Sequence, residues 1–529
     1  APRAAPDGGW RRETLGGAVA ATMTGRVLAG AVWWALAAVA LGDAPAGTSS
    51  GAASAFRQVM TSDDDALPGD CSLSPSMCQE ISNFIVILDA GSTGTRAHVY
   101  YYPRRVLRAK DLPLVATGPV TMPVPLGHVE TVPGISAFKD NHRGLKTYFD
   151  PLFQFAKRLI ISHDSKVKMH NIPLYLGATA GMRLMNNSDA AAAVMERVSS
   201  VLNSTSCPFG FRRKEQARIL SGEEESAFEW LAVNALHANV TPNAFETLGA
   251  LDIGGGSAQV AFVPETISIM AGFFPMHFGG AVAGPIHLYT HSFLRFGKVA
   301  AFQRSGNILL SKAVSPKIEH PCMPRGVVWG VNFDEFGLST SDPDPERSTG
   351  PVAMRGSGNW TQCLALARSL LPQGPCFQPP CTILGVYMPK VGRSRFALVG
   401  GYASVFKHVP MKRGQPMLQA LRQFLAGRCD KPLEELPSDC DPLLCFKGTF
   451  VLAFLTDGLG FPLDTEALTI PEPSPDWTLG QAIYEVNFFP YEVVTGPLPF
   501  LGLPKGDGSG LPAANRPLGD DGALPSPPT

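Results

Sequence analysis

The stretch that most constrains this chain is a short apolar run that ends in an aspartate and breaks into glycines and hydroxyls. It reads Asn83-Phe84-Ile85-Val86-Ile87-Leu88, then Asp89, then Ala90-Gly91-Ser92-Thr93-Gly94-Thr95-Arg96. The first half has the composition of a buried strand. Ala97-His98-Val99-Tyr100-Tyr101-Tyr102 is extended again, so the expected unit is strand, tight turn, strand. Glycines let backbone N–H groups approach an anion, Ser and Thr hydroxyls add donors, and a carboxylate at the strand end holds a cation. These residue types together suit a metal-phosphate site.

The same grammar returns at Leu248-Gly249-Ala250-Leu251-Asp252-Ile253-Gly254-Gly255-Gly256-Ser257-Ala258-Gln259-Val260-Ala261-Phe262. One Asp-Gly-Ser turn is equally an ordinary hairpin turn. Two copies predict two related lobes, each offering a phosphate loop to a shared cleft.

At 529 residues and 45% hydrophobic, the chain can hold more than one domain around a large core. A formal net charge of −1 gives no steering towards nucleic acid or an anionic membrane. Arg11, Arg12 and Arg26 precede an apolar run from Val27 to Gly42. That pattern fits a secretory signal or, uncleaved, a single N-terminal membrane anchor. Either places the body of the protein in the secretory pathway. Ten cysteines, none with zinc-ribbon spacing, agree with an oxidising compartment. Sequons stand at Asn186, Asn203, Asn239 and Asn359.

Residues 1–80 read as signal or anchor and linker. Pro123 to Gly134, broken by prolines, reads as a loop. Gly144 to Ile161 has helical spacing, with Pro151 weakening its middle. Ile172-Pro173-Leu174-Tyr175-Leu176-Gly177-Ala178-Thr179-Ala180-Gly181-Met182-Arg183 is strand then turn. Read alone, it serves as well for a small-residue turn entering a helix as for a phosphate site. Ala190 to Leu202 is expected to be helical. Ala217 to Leu220 reads as a strand, and Ser221-Gly222-Glu223-Glu224-Glu225 starts a helix whose acids, taken alone, complement the helix dipole. Phe278 to Phe296 is expected to include a helix, and Ser341 to Ser357 to be loop. Asn359 to Leu371, Met417 to Leu425, Leu444 to Phe454 and the stretch from Trp477 read as helices. Phe396 to Tyr402 reads as a strand end with an exposed aromatic. Pro497 to Thr529 is a Pro/Gly-rich tail with no core-forming pattern.

These segments, in this order, resemble the apyrase (nucleoside triphosphate diphosphohydrolase) family. The likeness rests on Asp89 to Arg96, Leu176 to Arg183, Ser221 to Trp230, Leu251 to Gln259 and Trp477-Thr478-Leu479-Gly480. It implies an α/β fold of two actin-like (ribonuclease H-like) lobes, each with a five-stranded mixed sheet, and an active site in the cleft between them. It implies hydrolysis of terminal phosphates from nucleoside tri- or diphosphates with Ca²⁺ or Mg²⁺. By the same resemblance, Glu225 would be the general base, and Ser257 and Gln259 would hold the attacking water. Asp89 and Asp252 would bind the metal, largely through its water shell. Gly91, Ser92, Thr93, Gly94 and Thr95, with Gly254, Gly255, Gly256 and Ser257, would cradle phosphates. Thr179 and Arg183 would support the site from the side, and Tyr402 is the candidate for stacking the nucleobase. The likeness pairs Cys322 with Cys363, Cys376 with Cys381 and Cys429 with Cys445, and leaves Cys71, Cys78, Cys207 and Cys440 unassigned. Ser226, Gly256 and Ala258 depart from the usual pattern, each a small residue in place of another.

The expected division is a first lobe over 81–221, completed by 468–496, and a second lobe over 222–467, followed by a disordered tail, 497–529. A secreted or Golgi-lumenal protein is expected, because no second span follows the first apolar run. Two other readings use the same fold: a non-catalytic nucleotide-binding or scaffold protein, and another phosphotransferase of the actin-like superfamily.

Overall fold

The computed structural model describes residues 84–102, 121–139, 144–185, 187–237, 246–265, 273–276, 286–313, 317–331, 352–391, 394–437 and 441–494. The expected signal or anchor, the linker and the C-terminal tail lie outside these residues. So do Cys71, Cys78 and Cys440.

The first sheet contains β1 (Phe84–Ala90), β2 (Thr95–Tyr101), β3 (Val124–Thr131), β4 (Leu174–Ala178) and β5 (Ala217–Ile219), in the order β3-β2-β1-β4-β5. β1 and β2 form the expected antiparallel hairpin, and β4 runs parallel to β1. Because β1 lies centrally with both faces covered, every one of its residues is buried. Phe84, Val86, Leu88 and Ala90 face an outer core against α1 (Leu145–His163) and α2 (Ser188–Leu202), while Ile85 and Ile87 face inwards. α1 runs through Pro151 unbroken. Pro151 is exposed, on the side where helix carbonyls can turn to water, and the opposite face buries Tyr148, Phe149, Leu152 and Phe153.

Two helices form the middle layer: α3 (Gly222–Leu236) and, near the C-terminal end of the fold, α9 (Trp477–Val494). Trp230, Leu231, Ile483 and Val486 join Ile85 and Ile87 of the first sheet to Ala250, Leu288 and Val399 of the second in one core. α3 is hydrophobic nearly all round for this reason: it is sandwiched between sheets.

The second sheet contains β6 (Gly249–Ile253), β7 (Ser257–Phe262), β8 (Phe273–Met276), β9 (Ile286–Leu294), β13 (Phe396–Leu398) and β14 (Leu468–Thr469). Its order is β14-β13-β6-β7-β9-β8. A small sheet of β10 (Lys317–His320), β11 (Val328–Val331) and β12 (Val352–Gly356) adjoins it. The outer helices are α4 (Lys298–Ser311), α5 (Trp360–Ser369), α6 (Gly401–Phe406), α7 (Met417–Arg428) and α8 (Leu444–Ala453).

Several expectations need correction. Pro123 to Gly134 is not all loop but carries β3, an edge strand whose Pro125 is exposed and can spare its missing N–H. Within Phe278 to Phe296 the described residues, from Ile286 on, form β9 rather than a helix. Ser341 to Ser357 ends in β12. Among the described residues the second sheet has six strands rather than five. Leu468–Thr469 pairs with Phe396–Ala397 in that second sheet, so the chain returns towards the first lobe only with α9.

The disulfides Cys322–Cys363, Cys376–Cys381 and Cys429–Cys445 are all formed. Two of them are neighbours, with Cys363 Sγ 3.9 Å from Cys445 Sγ. Cys207 is a buried free thiol.

Candidate active site

The two Asp-Gly-Ser hairpins end against each other. An added Cβ at Gly255 would lie 2.5 Å from Ser92 Oγ, and one at Gly181 would lie 2.7 Å from Ser92 Cα. The first loop is thus wedged between the second loop and the single helical turn Ala180–Arg183. Small residues in both glycine-rich stretches allow that approach.

Asp89, at the end of β1, is buried and receives Arg96 Nη1 at 3.2 Å, while Arg96 Nη2 reaches Glu130 at 2.9 Å. Its other oxygen, Oδ1, is buried without a partner. Burial pushes the Asp89 carboxyl well above the usual range; Asp476 adds to this and Arg96 opposes it. Asp252 faces Gln259 across the β6–β7 hairpin and is half-buried. Desolvation and the charge of Glu225 push it up to about 7, against the pull of Lys298. Gly400, at φ 53°, abuts the same carboxylate: a Cβ there would sit 1.9 Å from Asp252 Oδ1, so space and backbone both call for glycine.

Glu225 occupies the first turn of α3, which Ser221 caps by accepting from the Glu224 N–H. Arg183 donates to Glu225 at 2.7 Å, to Ser257 Oγ at 3.3 Å and to the Leu220 carbonyl at 3.0 Å. Burial raises the Glu225 carboxyl, and Arg183 opposes that rise. Gln259 donates to Ser257 Oγ at 2.5 Å and to Ser292 Oγ at 3.3 Å, while its Oε1 has no partner. Glu225, Arg183, Ser257 and Gln259 therefore form one connected polar group. Glu225 also acts electrostatically on both Asp89 and Asp252, which places the three carboxylates in a single neighbourhood.

Not every candidate faces this site. Thr95 is fully buried, and its hydroxyl lies 2.9 Å from that of Tyr148, so its side chain closes the hairpin rather than presenting a donor. Thr179, by contrast, keeps its place beside the first loop, its N–H bound to the Ala90 carbonyl at 3.1 Å. Tyr402 is a correction. It is 0% exposed inside the second lobe's core, with a hydroxyl that has no partner, so no ring face is open to a base. The chain turns inwards after Gly400 into α6, and the expected exposed aromatic does not exist.

Sequence reasoning assigned no role to four groups at the site. Arg96 closed a quoted motif. Glu229 follows Glu225 by one helical turn, a visible i, i+4 signal. Asp476 precedes Trp477-Thr478, where it accepts from Thr478 N at 2.9 Å and Oγ1 at 2.7 Å. Asp-Trp-Thr ahead of an apolar run is a readable helix start. His98, the Thr478 bonds and Arg96 hold Asp476 below its usual range despite its burial. Lys298 carries no local signal; it reaches the site only because α4 begins beside the second loop.

Residues 76–496 match the GDA1/CD39 (nucleoside phosphatase) family along their length. The chain belongs to this family. Among its relatives, the chain is 28% identical to probable apyrase 3 of Arabidopsis thaliana, over 76% of this chain and 82% of that one. It is 30% identical to ectonucleoside triphosphate diphosphohydrolase 2 of Homo sapiens, over 77% of this chain and 82% of that one. A crystal structure of nucleoside triphosphate hydrolases from Neospora caninum superimposes with a TM-score of 0.57 at 16% identity, covering 78% of this chain and 94% of that one. That likeness shows a shared α/β fold.

The donor set suits a hard divalent cation. It offers carboxylate oxygens, two of them buried and unpartnered on Asp89 and Glu229. Among the described residues no three acidic, His or Cys side chains converge on one bare ion. The fit is therefore to a hydrated ion held at the carboxylates through its water.

Proposed function

We propose that this family member hydrolyses nucleoside tri- and/or diphosphates, releasing the terminal phosphate by in-line attack of water. The observation that carries the reading is the polar group around Glu225, lying beside the junction of two glycine-rich loops. A carboxylate bound by Arg183 stands next to Ser257 and Gln259, whose unpartnered Oε1 can accept from a water.

In this reading the water oxygen forms a bond to the terminal phosphorus as the bridging P–O bond breaks. The water's proton passes to Glu225, and the shortened nucleotide leaves with the bond's electron pair. Burial holds Glu225 above an ordinary carboxylate, nearer the working pH of a general base. Ser257 and Gln259 orient the water. Gly91, Ser92, Thr93 and Gly94 on one side and Gly254, Gly255 and Gly256 on the other surround the phosphates with N–H and O–H donors. Such positioning and charge compensation are most of what phosphoryl transfer asks of a protein. Asp89 and Asp252 would hold Ca²⁺ or Mg²⁺, which would supply positive charge against the phosphates. Arg183 joins the base to Ser257 and stands within reach of the same phosphates.

Three disulfides support an oxidising compartment. We place the protein in the secretory pathway, secreted or in the Golgi lumen, with the 27–42 stretch as signal or single N-terminal anchor. Among the described residues no helix is long and apolar enough to cross a membrane.

Phosphate release from a panel of nucleoside di- and triphosphates, with Ca²⁺, Mg²⁺ or chelator, tests the proposal. Metal-dependent release that Glu225→Gln abolishes supports it. Nucleotide binding without release would favour the scaffold reading, and release unchanged in Glu225→Gln would remove the assigned base.

A further inference from the structure

Five buried or half-buried carboxylates act on one another at the site: Asp89, Glu225, Glu229, Asp252 and Asp476. Four of them have compensation of their own. Asp89 has Arg96, Glu225 has Arg183, Asp252 has Lys298 nearby, and Asp476 has Thr478 at the start of α9 with His98 close by. Glu229 is different. It is 4% exposed, it forms no ion pair among the described residues, and the charges that act on it are those of Asp252, Asp476 and Glu225. The Trp477 backbone N–H gives it only a minor opposing pull, and its Oε1 is buried without a partner.

A carboxylate in that position either shares a positive ion or takes up a proton, and burial with its acidic neighbours pushes it well above the usual range when nothing positive is bound. Helix geometry puts Glu229 on the same face of α3 as Glu225, one turn further along. It is thus directed at the space bordered by Asp252 and Asp476 rather than at the apolar side of the helix. Alanine or leucine would satisfy α3's sandwiched packing better, so packing does not account for an acid here.

We propose that Glu229 is a further carboxylate of the divalent-cation site, taking the ion's water shell on its free Oε1 from the α3 side. The inference rests on the cation reading above and extends it. With Asp89 on β1, Asp252 on β6 and Glu229 on α3, carboxylates from both sheets and the middle layer would surround one ion. Loading the ion would then tie the two lobes together through α3.

Calcium binding measured by titration calorimetry, with melting temperature measured with and without Ca²⁺ or Mg²⁺, tests this without recourse to turnover. Glu229→Gln keeps the shape and removes the charge. The expected result is a Kd for Ca²⁺ raised at least about tenfold, a smaller cation-induced rise in Tm, and a Tm in chelator no lower than that of wild type, because Gln keeps the shape of the protonated acid. A Glu229→Gln protein that binds Ca²⁺ as tightly as wild type overturns the proposal, as does one with a lower Tm in chelator and an unchanged Kd, which would mark a packing role. If Glu229→Gln does not fold, Glu229→Asp carries the test: its shorter stem weakens Ca²⁺ binding, and unchanged binding overturns the proposal. A wild-type protein with neither a binding heat nor a cation-dependent Tm fails the cation reading and this inference together. Wild-type binding with an indifferent Glu229→Gln fails this inference alone.

Discussion

Asp89 and Asp252 end equivalent strands, and each opens a glycine-rich hairpin, yet the two hairpins are braced in different ways. The second loop is pinned from behind by backbone. Lys298 N donates to the Gly254 carbonyl at 2.9 Å, Val299 N and Ala300 N both to that of Gly255 at 3.0 Å, and Arg295 N to that of Gly256 at 2.8 Å. The Gly254 N–H closes the turn onto the Ser257 carbonyl at 3.0 Å, which leaves those of Gly255 and Gly256 to turn towards an anion. The first loop relies on side chains. Arg96 ties Asp89 to Glu130, half-buried Ser92 sets its Oγ against Gly255, and Thr93 is exposed. One hairpin is a fixed backbone cradle and the other an adjustable hydroxyl-bearing wall. A repeated sequence grammar thus conceals a division of labour that only the packing reveals.

Glu225→Gln should produce the largest change, because it acts on the chemistry that both hairpins serve. We expect kcat to fall on the order of 10²–10⁴-fold with little change in folding, since Gln keeps the Arg183 and Ser257 geometry. Steady-state phosphate release and circular dichroism on the same preparation check this. A drop confined to KM would shift Glu225 from proton acceptor to binding group.

Lobe II holds all three disulfides found among the described residues, and the next prediction uses that contrast. Cys322–Cys363 closes a separation of 41 residues. Replacing both with serine should cost about 4 kcal/mol on chain-entropy grounds. Protease susceptibility should rise first in fragments of lobe II, with the β1–β2 hairpin protected longer. Simultaneous cleavage in both lobes would mean that the α3–α9 layer couples them into one unfolding unit.

The loop comparison itself can be broken with two alanines. An added Cβ at Gly297 would lie 2.4 Å from Gly255 C and O and from Gly256 N, whereas one at Gly134 would lie 2.6 Å from the Gly91 carbonyl oxygen. Gly297→Ala must displace the pinned cradle, and a misplacement of about 1 Å can cost on the order of 10²-fold. We expect kcat/KM to fall about 10–100-fold for Gly297→Ala and several-fold less for Gly134→Ala, whose loop can yield. Equal losses would erase the distinction between fixed and adjustable walls.

Much of this was legible before any coordinates, because the signals were local. The apolar run Phe84 to Leu88 and the glycines after Asp89 and Asp252 fix strand and turn by composition alone. The i, i+4 acid at Glu229 and the Asp-Trp-Thr helix start at Asp476 were present but silent, since only tertiary contact shows that they meet. Lys298 and Arg96 became site residues through bracing that no short window contains. β3 and β9 were misread for opposite reasons. Pro125 masks an edge strand that can tolerate it, and β9 lies between neighbours that cover both faces and blur its alternation. Tyr402 was misplaced because an aromatic after a Gly-Gly strand end looks exposed until the following helix turns it into the core.

The smallest expected effect also separates the lobes, and it concerns stability in mild acid. His320, at the end of β10 in lobe II, is completely buried between the Phe302 and Phe446 rings. Its Nδ1 accepts from the Cys322 N–H at 3.2 Å, which leaves the proton on Nε2 to be donated to Ser305 Oγ at 2.9 Å. Ser305 in turn donates to the Phe302 carbonyl at 2.6 Å, so the network admits one neutral tautomer. A second proton would set Nδ1–H against the Cys322 N–H, and burial alone already lowers the imidazole to about 3. The folded value lies below the unfolded one of about 6.5, so the unfolded chain binds the proton first. The stabilisation is therefore complete above about pH 6.5 and declines by about 1.4 kcal/mol per pH unit as pH falls towards 3, or about 2 kcal/mol at pH 5. Urea midpoints at pH 7 and 5 should show this loss in wild type, and His320→Gln should reduce the difference by about that amount while lowering stability at pH 7. A wild-type midpoint that does not move between the two pH values would mean that the pocket opens to let the imidazole charge, and the rigid half of the molecule would then be lobe I rather than lobe II.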